Sequence, residues 1–219
     1  MHYAHYLNQE PLNLPLGKIL CVGRNYAAHA RELNNPVPTD PILFIKPATA
    51  AVAFQDTIAI PRDQGQCHHE LELAVLLGQH LKNATEDEVQ NAILGYGLGL
   101  DLTLRDLQSR LKEQGQPWEK AKSWDGACPL SGFIHGSAID DPQSLPLTLW
   151  VNDQVRQEGN TGDMTTPILP LIAYMTRYFS LEPGDVVLTG TPAGVAALAP
   201  GDRLRAELGD LLQCEATVA

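Results

Sequence analysis

The sequence is poor in the features that mark disulfide-rich, membrane-spanning and nucleic-acid-binding proteins. It has four cysteines in 219 residues, dispersed without a CxxC pair, so a structural zinc site is not expected. No apolar run approaches the roughly 18 residues that a membrane span requires. The formal net charge of −11 argues against a nucleic-acid partner, because such proteins normally present a basic face.

The amino-terminal residues indicate the cellular location, and the chain length indicates the number of domains. Met1–Tyr6 lacks the basic segment followed by an apolar stretch that typifies an export signal. We therefore expect a cytoplasmic protein, not attached to a membrane, whose cysteines stay reduced. A chain of this length favours one domain with a sizeable core.

Short apolar runs separated by glycine and proline predict an α+β fold that is rich in strands. The predicted strands are Lys18–Val22, Ile42–Ile45, Thr57–Ile60, Glu70–Leu77, Gly95–Leu102, Leu147–Val151, Val155–Gln157, Asp185–Thr189, Arg203–Leu208 and Leu212–Val218. The predicted helices are Asn25–Leu33, Thr85–Leu94, Thr103–Gln114 and Pro167–Phe179. Thr85 and Glu88 have capping-box spacing, and Asn152 with Asp153 predicts a hairpin turn. Regular βαβ alternation is missing, which argues against a doubly wound domain.

Two glutamates on one predicted strand indicate a metal site. Glu70 and Glu72 are two residues apart, so in a strand they share a face. A solvated strand face would explain such a pair, but the apolar continuation Ala74–Leu77 predicts that this strand enters the core. Buried carboxylates need a cation, and hard oxygen ligands suit Mg²⁺, Mn²⁺ or Ca²⁺. Asp101, alone in an apolar stretch, is the candidate third ligand, and His68 is the alternative.

A group of polar and cationic residues follows Asp101. Arg105 and Gln108 are i,i+3 neighbours on the predicted helix, and Arg105 is also i,i+4 to Asp101. Lys122 follows the next turn. This spacing can bring positive charge to the metal site, although a surface ion pair would explain each residue taken singly.

Two further segments have the character of a catalytic site. His29 and Glu32 have the i,i+3 spacing of a carboxylate-oriented general base, although this spacing is common by chance. Leu33–Pro41, rich in Asn and Pro, is typical of a mobile lid. In Thr189–Val195, glycines and hydroxyls follow an apolar strand and could bind a carboxylate, or form a plain turn.

Taken in order, these segments resemble the fumarylacetoacetate hydrolase family. The matching segments are Cys21–Tyr26 (CVGRNY), Phe44–Pro47 (FIKP), His68–Glu72 (HHELE), Leu100–Asp106 (LDLTLRD), Ala121–Ser123 (AKS) and Leu188–Pro192 (LTGTP). Their order and combination are specific. The short length resembles the single-domain branch, of the acylpyruvase and oxaloacetate decarboxylase type. The match begins near residue 18, which predicts an N-terminal extension at 1–17 and a catalytic domain at 18–219.

The resemblance implies a fold, a cofactor and roles for individual residues. The fold would be a mixed β-roll or sandwich with a few flanking helices, and the protein would be a homodimer. Glu70, Glu72 and Asp101 would bind Mg²⁺, with Mn²⁺ or Ca²⁺ as alternatives, and waters would complete the coordination shell. The catalytic residues would be His29, Glu32, Lys122 and Gln108, and the substrate-binding residues would be Arg24, Lys46, Arg105 and Thr191.

The expected substrate is a small 2-oxo or 2,4-dioxo acid that reacts through a metal-bound enolate. A metal that chelates the carboxylate and the 2-oxo group polarises that carbonyl and stabilises the enolate. Hydrolysis of an acylpyruvate or decarboxylation of oxaloacetate comes first, and keto–enol tautomerisation of oxaloacetate comes close behind. An isomerase or decarboxylase of an aromatic meta-cleavage pathway is a third option. The non-enzymatic alternative is a metal-stabilised binding protein.

Overall fold

The computed structural model describes residues 3–33, 36–55 and 57–219. The strands in these ranges are β1 (Tyr6–Leu7), β2 (Glu10–Pro11), β3 (Lys18–Gly23), β4 (Ile42–Pro47), β5 (Ala51–Ala53), β6 (Thr57–Ile58), β7 (Cys67–His69), β8 (Leu71–Leu77), β9 (Ile93–Leu100), β10 (Thr103–Leu104), β11 (Cys128–His135), β12 (Pro146–Val151), β13 (Gln154–Asn160), β14 (Val186–Leu188), β15 (Ala196–Ala197), β16 (Arg203–Leu208) and β17 (Leu212–Val218). The helices are α1 (Ala27–Glu32), α2 (Glu86–Ala92), α3 (Arg105–Glu113), α4 (Glu119–Lys122) and α5 (Ile168–Tyr178). The predicted strand-rich α+β fold is confirmed.

A nine-stranded sheet forms the centre of the fold. Its order is β2-β1-β11-β9-β8-β14-β3-β4, with β5 paired to β11. Every residue of β8 is buried, which explains the unbroken apolar run after Glu72. β8 is antiparallel to both β9 and β14, and β14 is parallel to β3. The start of β8 and the ends of β9, β14 and β3 therefore meet at one end of the sheet.

A five-stranded sheet, in the order β13-β12-β16-β17-β6, packs into the same core as the strands of the central sheet. The predicted hairpin joins β12 to β13, with Val151 paired to Gln154. Asn152 and Asp153 have φ values of 51° and 63°, as a tight hairpin turn with two left-handed residues requires. A third, small sheet pairs β7 with β10 and β15.

The helices confirm one predicted cap and correct several predicted boundaries, including the end of α2, which is Ala92 because β9 begins at Ile93. Thr85 and Glu88 form the capping box at the start of α2. The helix predicted from Thr103 begins instead at Arg105, because Thr103 and Leu104 pair with β7 as β10. Among the described residues, none of the helices is long and apolar enough to cross a membrane. Asn34 and Asn35, in the predicted lid, lie outside the described residues.

Two short strands within residues 3–17 join the central sheet. β1 pairs in parallel with β11, and β2 pairs with β1. Leu7, Leu12 and Leu16 pack against core residues of that sheet. The division into an extension at 1–17 and a catalytic domain at 18–219 stays a prediction.

Candidate metal centre

Three acidic side chains converge where β8 begins and β9 ends. Glu70 directly precedes β8, and its carbonyl accepts a hydrogen bond of 2.8 Å from the backbone N–H of Asp101, which directly follows β9. Glu72 lies on the same face of the chain as Glu70. One carboxylate oxygen from each residue lies within 4.8 Å of the others. The exposed fractions of Glu70, Glu72 and Asp101 are 5%, 1% and 1%. The start of β8 and the end of β9 thus bring the three candidate ligands together as one group.

The donor set fits a hard divalent cation. All three side chains offer carboxylate oxygen, the ligand type that Mg²⁺, Mn²⁺ and Ca²⁺ prefer. Glu72 accepts a hydrogen bond of 2.6 Å from the backbone N–H of Gly190. Burial raises the pKa of Glu72 well above its ordinary value, and the charges of Asp101 and Glu70 raise it further. A divalent ion bound beside Glu72 would supply positive charge that favours its ionised form.

Cationic side chains surround the other two carboxylates. Lys122 Nζ lies 2.9 Å from Glu70 Oε2 and 2.5 Å from Asp101 Oδ2. The guanidinium of Arg105 forms an ion pair with the other oxygen of Glu70. Burial alone would raise the pKa of Glu70, but Lys122 and Arg105 outweigh it and hold that pKa well below its ordinary value. Glu70 is therefore ionised at neutral pH.

Lys46 belongs to the site but is turned toward the protein. It is fully buried, and its ammonium group lies 2.8 Å from Asp101 Oδ1. It also donates hydrogen bonds to the carbonyls of Lys122 and of Ala127, the latter at 3.1 Å. The ammonium group is thus engaged by one carboxylate and two carbonyls of the protein. The geometry indicates that Lys46 holds Asp101 in place, rather than contacting a substrate as predicted.

The predicted His29–Glu32 pair is present on α1. His29 Nδ1 lies 3.4 Å from Glu32 Oε2, and His29 is 4% exposed. An electrostatic interaction with His29 is among the causes of the lowered pKa of Glu70, so the imidazole lies within electrostatic reach of the carboxylates. Glu32 also accepts hydrogen bonds of 3.0 and 3.2 Å from the backbone N–H of Gly194. This contact ties α1 to the loop after β14.

The other predicted substrate residues lie around the same region. Gln108 Oε1 accepts a hydrogen bond of 2.8 Å from Arg105. Arg24 follows β3 and has a left-handed backbone, with φ of 61°. Burial lowers the pKa of the half-buried Lys112, and the nearby charges of Arg24, Arg105 and Lys122 lower it further. These four cations therefore share one positive region beside the carboxylates.

Thr191 lies in the loop after β14, where its hydroxyl is already engaged. The hydroxyl donates to the carbonyl of Leu71 at 2.7 Å and accepts from the amide of Gln157 at 2.7 Å. A substrate carboxylate would therefore have to use backbone N–H groups of this loop rather than the hydroxyl proton.

Sequence patterns did not assign a function to two residues that the structure places beside the site. Asn25 donates to the carbonyl of Thr189 at 2.9 Å, so it joins the start of α1 to the loop after β14. Asn25 lies inside the segment Cys21–Tyr26 that carries the family resemblance, and this position could have indicated its role. Gln157 reaches the site from the other sheet, and nothing in its sequence neighbourhood indicates this.

The chain matches a known protein family and solved structures. The family model described as fumarylacetoacetate (FAA) hydrolase C-terminal matches residues 18–219. The chain belongs to the fumarylacetoacetate hydrolase family. Among relatives in this family, the oxaloacetate tautomerase YcgM of Escherichia coli (strain K12) is 53% identical over 205 residues, which cover 93% of this chain and 94% of the relative.

Solved structures of the fumarylacetoacetate hydrolase family superimpose closely on this chain. A protein of Oleispira antarctica, described as a candidate fumarylacetoacetate isomerase/hydrolase, has a TM-score of 0.95 and 56% identity, covering 99% of this chain and all of its own. The fumarylpyruvate hydrolase of Pseudomonas aeruginosa, in complex with Mn²⁺ and pyruvate, has a TM-score of 0.93 and 33% identity. That match covers 99% of this chain and 95% of the hydrolase. The predicted family and fold are confirmed, and the relatives are enzymes.

Proposed function

We propose that this chain is a metal-dependent enzyme that interconverts the keto and enol forms of oxaloacetate. The observation that carries the proposal is the group of three buried carboxylates with Lys122 between two of them. The name of the 53% identical relative, an oxaloacetate tautomerase, supports this reaction. The predicted class of reaction, enolate chemistry on a small 2-oxo acid, covers both this name and that of the fumarylpyruvate hydrolase. Within that class, the comparison moves tautomerisation ahead of hydrolysis and decarboxylation.

Glu70, Glu72 and Asp101 are the proposed ligands of the metal. We propose Mg²⁺ as the native ion, with Mn²⁺ supported by its presence in the related hydrolase structure and Ca²⁺ as an alternative. A divalent ion held there supplies Lewis-acid polarisation of a bound 2-oxo group.

The charges of the site suit a dianionic substrate. The three carboxylates are matched by the cations of Lys46, Lys122 and Arg105. A divalent ion would therefore give the site a net charge of about +2 when all these groups are ionised. Oxaloacetate has two carboxylates, so its charge complements that of the loaded site.

Lys122 and His29 are the proposed reactive side chains. Burial would lower the pKa of Lys122, but Asp101 and Glu70 raise it above its ordinary value, so the ammonium stays charged. It can stabilise negative charge on the substrate oxygen as the enolate forms. In the enol-forming direction His29, oriented by Glu32, would take a proton from C3 while the 2-oxo oxygen gains one, and in ketonisation the oxygen loses its proton and C3 regains one, so no water needs to be activated. Arg24, Arg105, Gln108 and the Thr191 loop would orient the carboxylates of the substrate.

Hydrolysis of a short acylpyruvate is the second candidate. The related hydrolase of Pseudomonas aeruginosa holds pyruvate with Mn²⁺, and pyruvate is the product that such a hydrolysis would release. In that reaction His29 and Glu32 would instead activate water for attack on the distal carbonyl. The two reactions therefore use one site and differ in whether water enters.

A paired assay tests the proposed function. Ketonisation of enol-oxaloacetate is followed by loss of its ultraviolet absorbance, and acetylpyruvate cleavage by pyruvate release, each with Mn²⁺ or with EDTA. We expect Mn²⁺-dependent ketonisation well above the buffer rate, little pyruvate release, and loss of activity in Glu70→Ala and Asp101→Asn. No acceleration of ketonisation at saturating Mn²⁺ would contradict the proposal, and fast pyruvate release would favour the hydrolase.

We further propose a cytoplasmic homodimer. The dimer rests on the family resemblance, and size-exclusion chromatography with light scattering tests it. The four cysteines are free and buried, which suits a reducing compartment.

A further inference from the structure

Gln157 reaches the candidate metal centre from the sheet that carries none of the proposed ligands. It lies on β13, and it is fully buried. Its amide nitrogen donates to Thr191 Oγ1 at 2.7 Å and to the carbonyl of Pro192 at 3.0 Å. Its amide oxygen accepts from the backbone N–H of Leu71 at 2.9 Å and from His69 Nδ1 at 2.9 Å. This one side chain thus donates two hydrogen bonds and accepts two.

The oxygen end of this amide holds the backbone between the glutamate ligands. Leu71 lies between Glu70 and Glu72, so its N–H bond to Gln157 fixes the peptide that spaces the two carboxylates. Because the amide nitrogen faces a carbonyl that can only accept, the oxygen must face His69, whose Nδ1 therefore carries the proton.

The nitrogen end holds the loop 190–194. This loop touches both parts of the site, because Gly190 N–H donates to Glu72 and Gly194 N–H donates to Glu32. Thr191 closes a ring, since its hydroxyl accepts from Gln157 and donates to the carbonyl of Leu71. The ligand strand, the loop and the second sheet are therefore joined through one amide.

Close packing shows that β13 and the loop have little freedom to slide. A Cβ added to Gly159 on β13 would lie 2.6 Å from Pro192 Cβ. A Cβ added to Gly194, whose φ is +98°, would lie 1.9 Å from the carbonyl oxygen of Arg156. Only glycine fits these two contacts, which flank Gln157 on both sides.

We infer that Gln157 is a positioning residue that fixes the spacing of the Glu70 and Glu72 carboxylates and, through the loop 190–194, the placement of Glu32 behind His29. The inference rests on the proposed function for the role of the His29–Glu32 pair, but its metal arm is independent of any turnover. Supporting hydrogen bonds of this kind typically change metal affinity or activity by about 10- to 100-fold when removed.

The test compares Gln157→Met with Gln154→Met, a matched change at an exposed glutamine of the same strand. Mn²⁺ affinity is measured by calorimetry on the full chain, well below the melting temperature. The kcat for oxaloacetate is measured separately at saturating Mn²⁺. For Gln157→Met we expect Mn²⁺ affinity and kcat each to fall by about tenfold or more. For Gln154→Met both should stay within about twofold.

A second variant, Gly159→Ala, disturbs the contact between β13 and the loop 190–194 without changing Gln157. Gly159→Ala keeps the Gln157 amide, but its new methyl group collides with Pro192. We therefore expect Mn²⁺ affinity and kcat to fall, as in Gln157→Met. If Gln157→Met does not fold, the results for Gly159→Ala test the inference instead. Wild-type Mn²⁺ affinity and kcat in the folded variants, whatever their melting temperatures, would overturn the inference. Absence of oxaloacetate turnover by the wild type would contradict the proposed function instead, while the Mn²⁺ comparison would still judge Gln157.

Discussion

Single residues at the site are buried charges, each of which needs a partner. Sequence patterns pointed to Glu70, Glu72 and Asp101, because acids beside apolar runs are unusual. They could not show what Lys46 contacts, since a flexible four-carbon side chain reaches many partners from one backbone position. Gln157 was missed because its partners lie more than thirty residues away along the chain. Contacts of this kind become visible only after the sheets are packed.

The Lys46–Asp101 pair gives a prediction for stability. Lys46→Met removes a buried ammonium group from two carbonyls and from Asp101, which then keeps only Lys122, so the metal-free protein should lose about 3–5 kcal/mol of unfolding free energy. Urea denaturation measures the loss. Arg203→Met breaks an exposed pair with Asp153 and should cost less than about 1 kcal/mol. Equal, small losses in the two variants would contradict the account.

Among the elements, the loop after β14 links the parts of the site. β16 and β17 were predicted with the bounds that the structure shows, because their alternation of buried and exposed residues is regular. β11 was not predicted, although it is central to the sheet. Its sequence contains Pro129 and Gly132, and its pairing shifts register between Leu130 and Phe133. The start of α3 was placed too early because Thr103 and Leu104 are taken up by pairing with a strand distant in sequence.

Gly194 tests the importance of that loop for catalysis. In Gly194→Ala, the new Cβ collides with the backbone of Arg156, so the N–H that supports Glu32 must move. We expect kcat for oxaloacetate at saturating Mn²⁺ to fall by about tenfold or more. Gly201 is the matched control, because it also has a left-handed φ, +90°, but has open space around its Cβ position. Gly201→Ala should lower the melting temperature and keep kcat within about twofold, and an equal loss of kcat in both variants would argue against the loop's role.

For the whole molecule, buried neutral histidines make stability depend on pH. His5 is fully buried between Tyr3 and Phe133, and its Nε2 bonds to the carbonyl of Gly184. Burial lowers the pKa of His5 below its ordinary value of 6.5. The unfolded chain therefore binds a proton that the folded chain does not, and stability falls as pH falls below about 6.5.

The variant His5→Gln isolates this contribution, since glutamine can keep a donor for Gly184 and has no proton to bind in this range. Urea denaturation at pH 7.5 and 5.5 should show a smaller loss of unfolding free energy for the variant than for the wild type. An equal or larger loss in the variant would show that His5 does not contribute to the acid sensitivity.

The central claim is that Glu70, Glu72 and Asp101 hold one divalent ion at the end of the central sheet. Crystals grown with Mn²⁺, with diffraction data collected at the manganese absorption edge, test it directly. We expect one strong anomalous peak within bonding distance of all three carboxylates, and its loss in crystals of Glu72→Ala. A manganese peak bound by other residues, or none at these three at saturating Mn²⁺, would contradict the account.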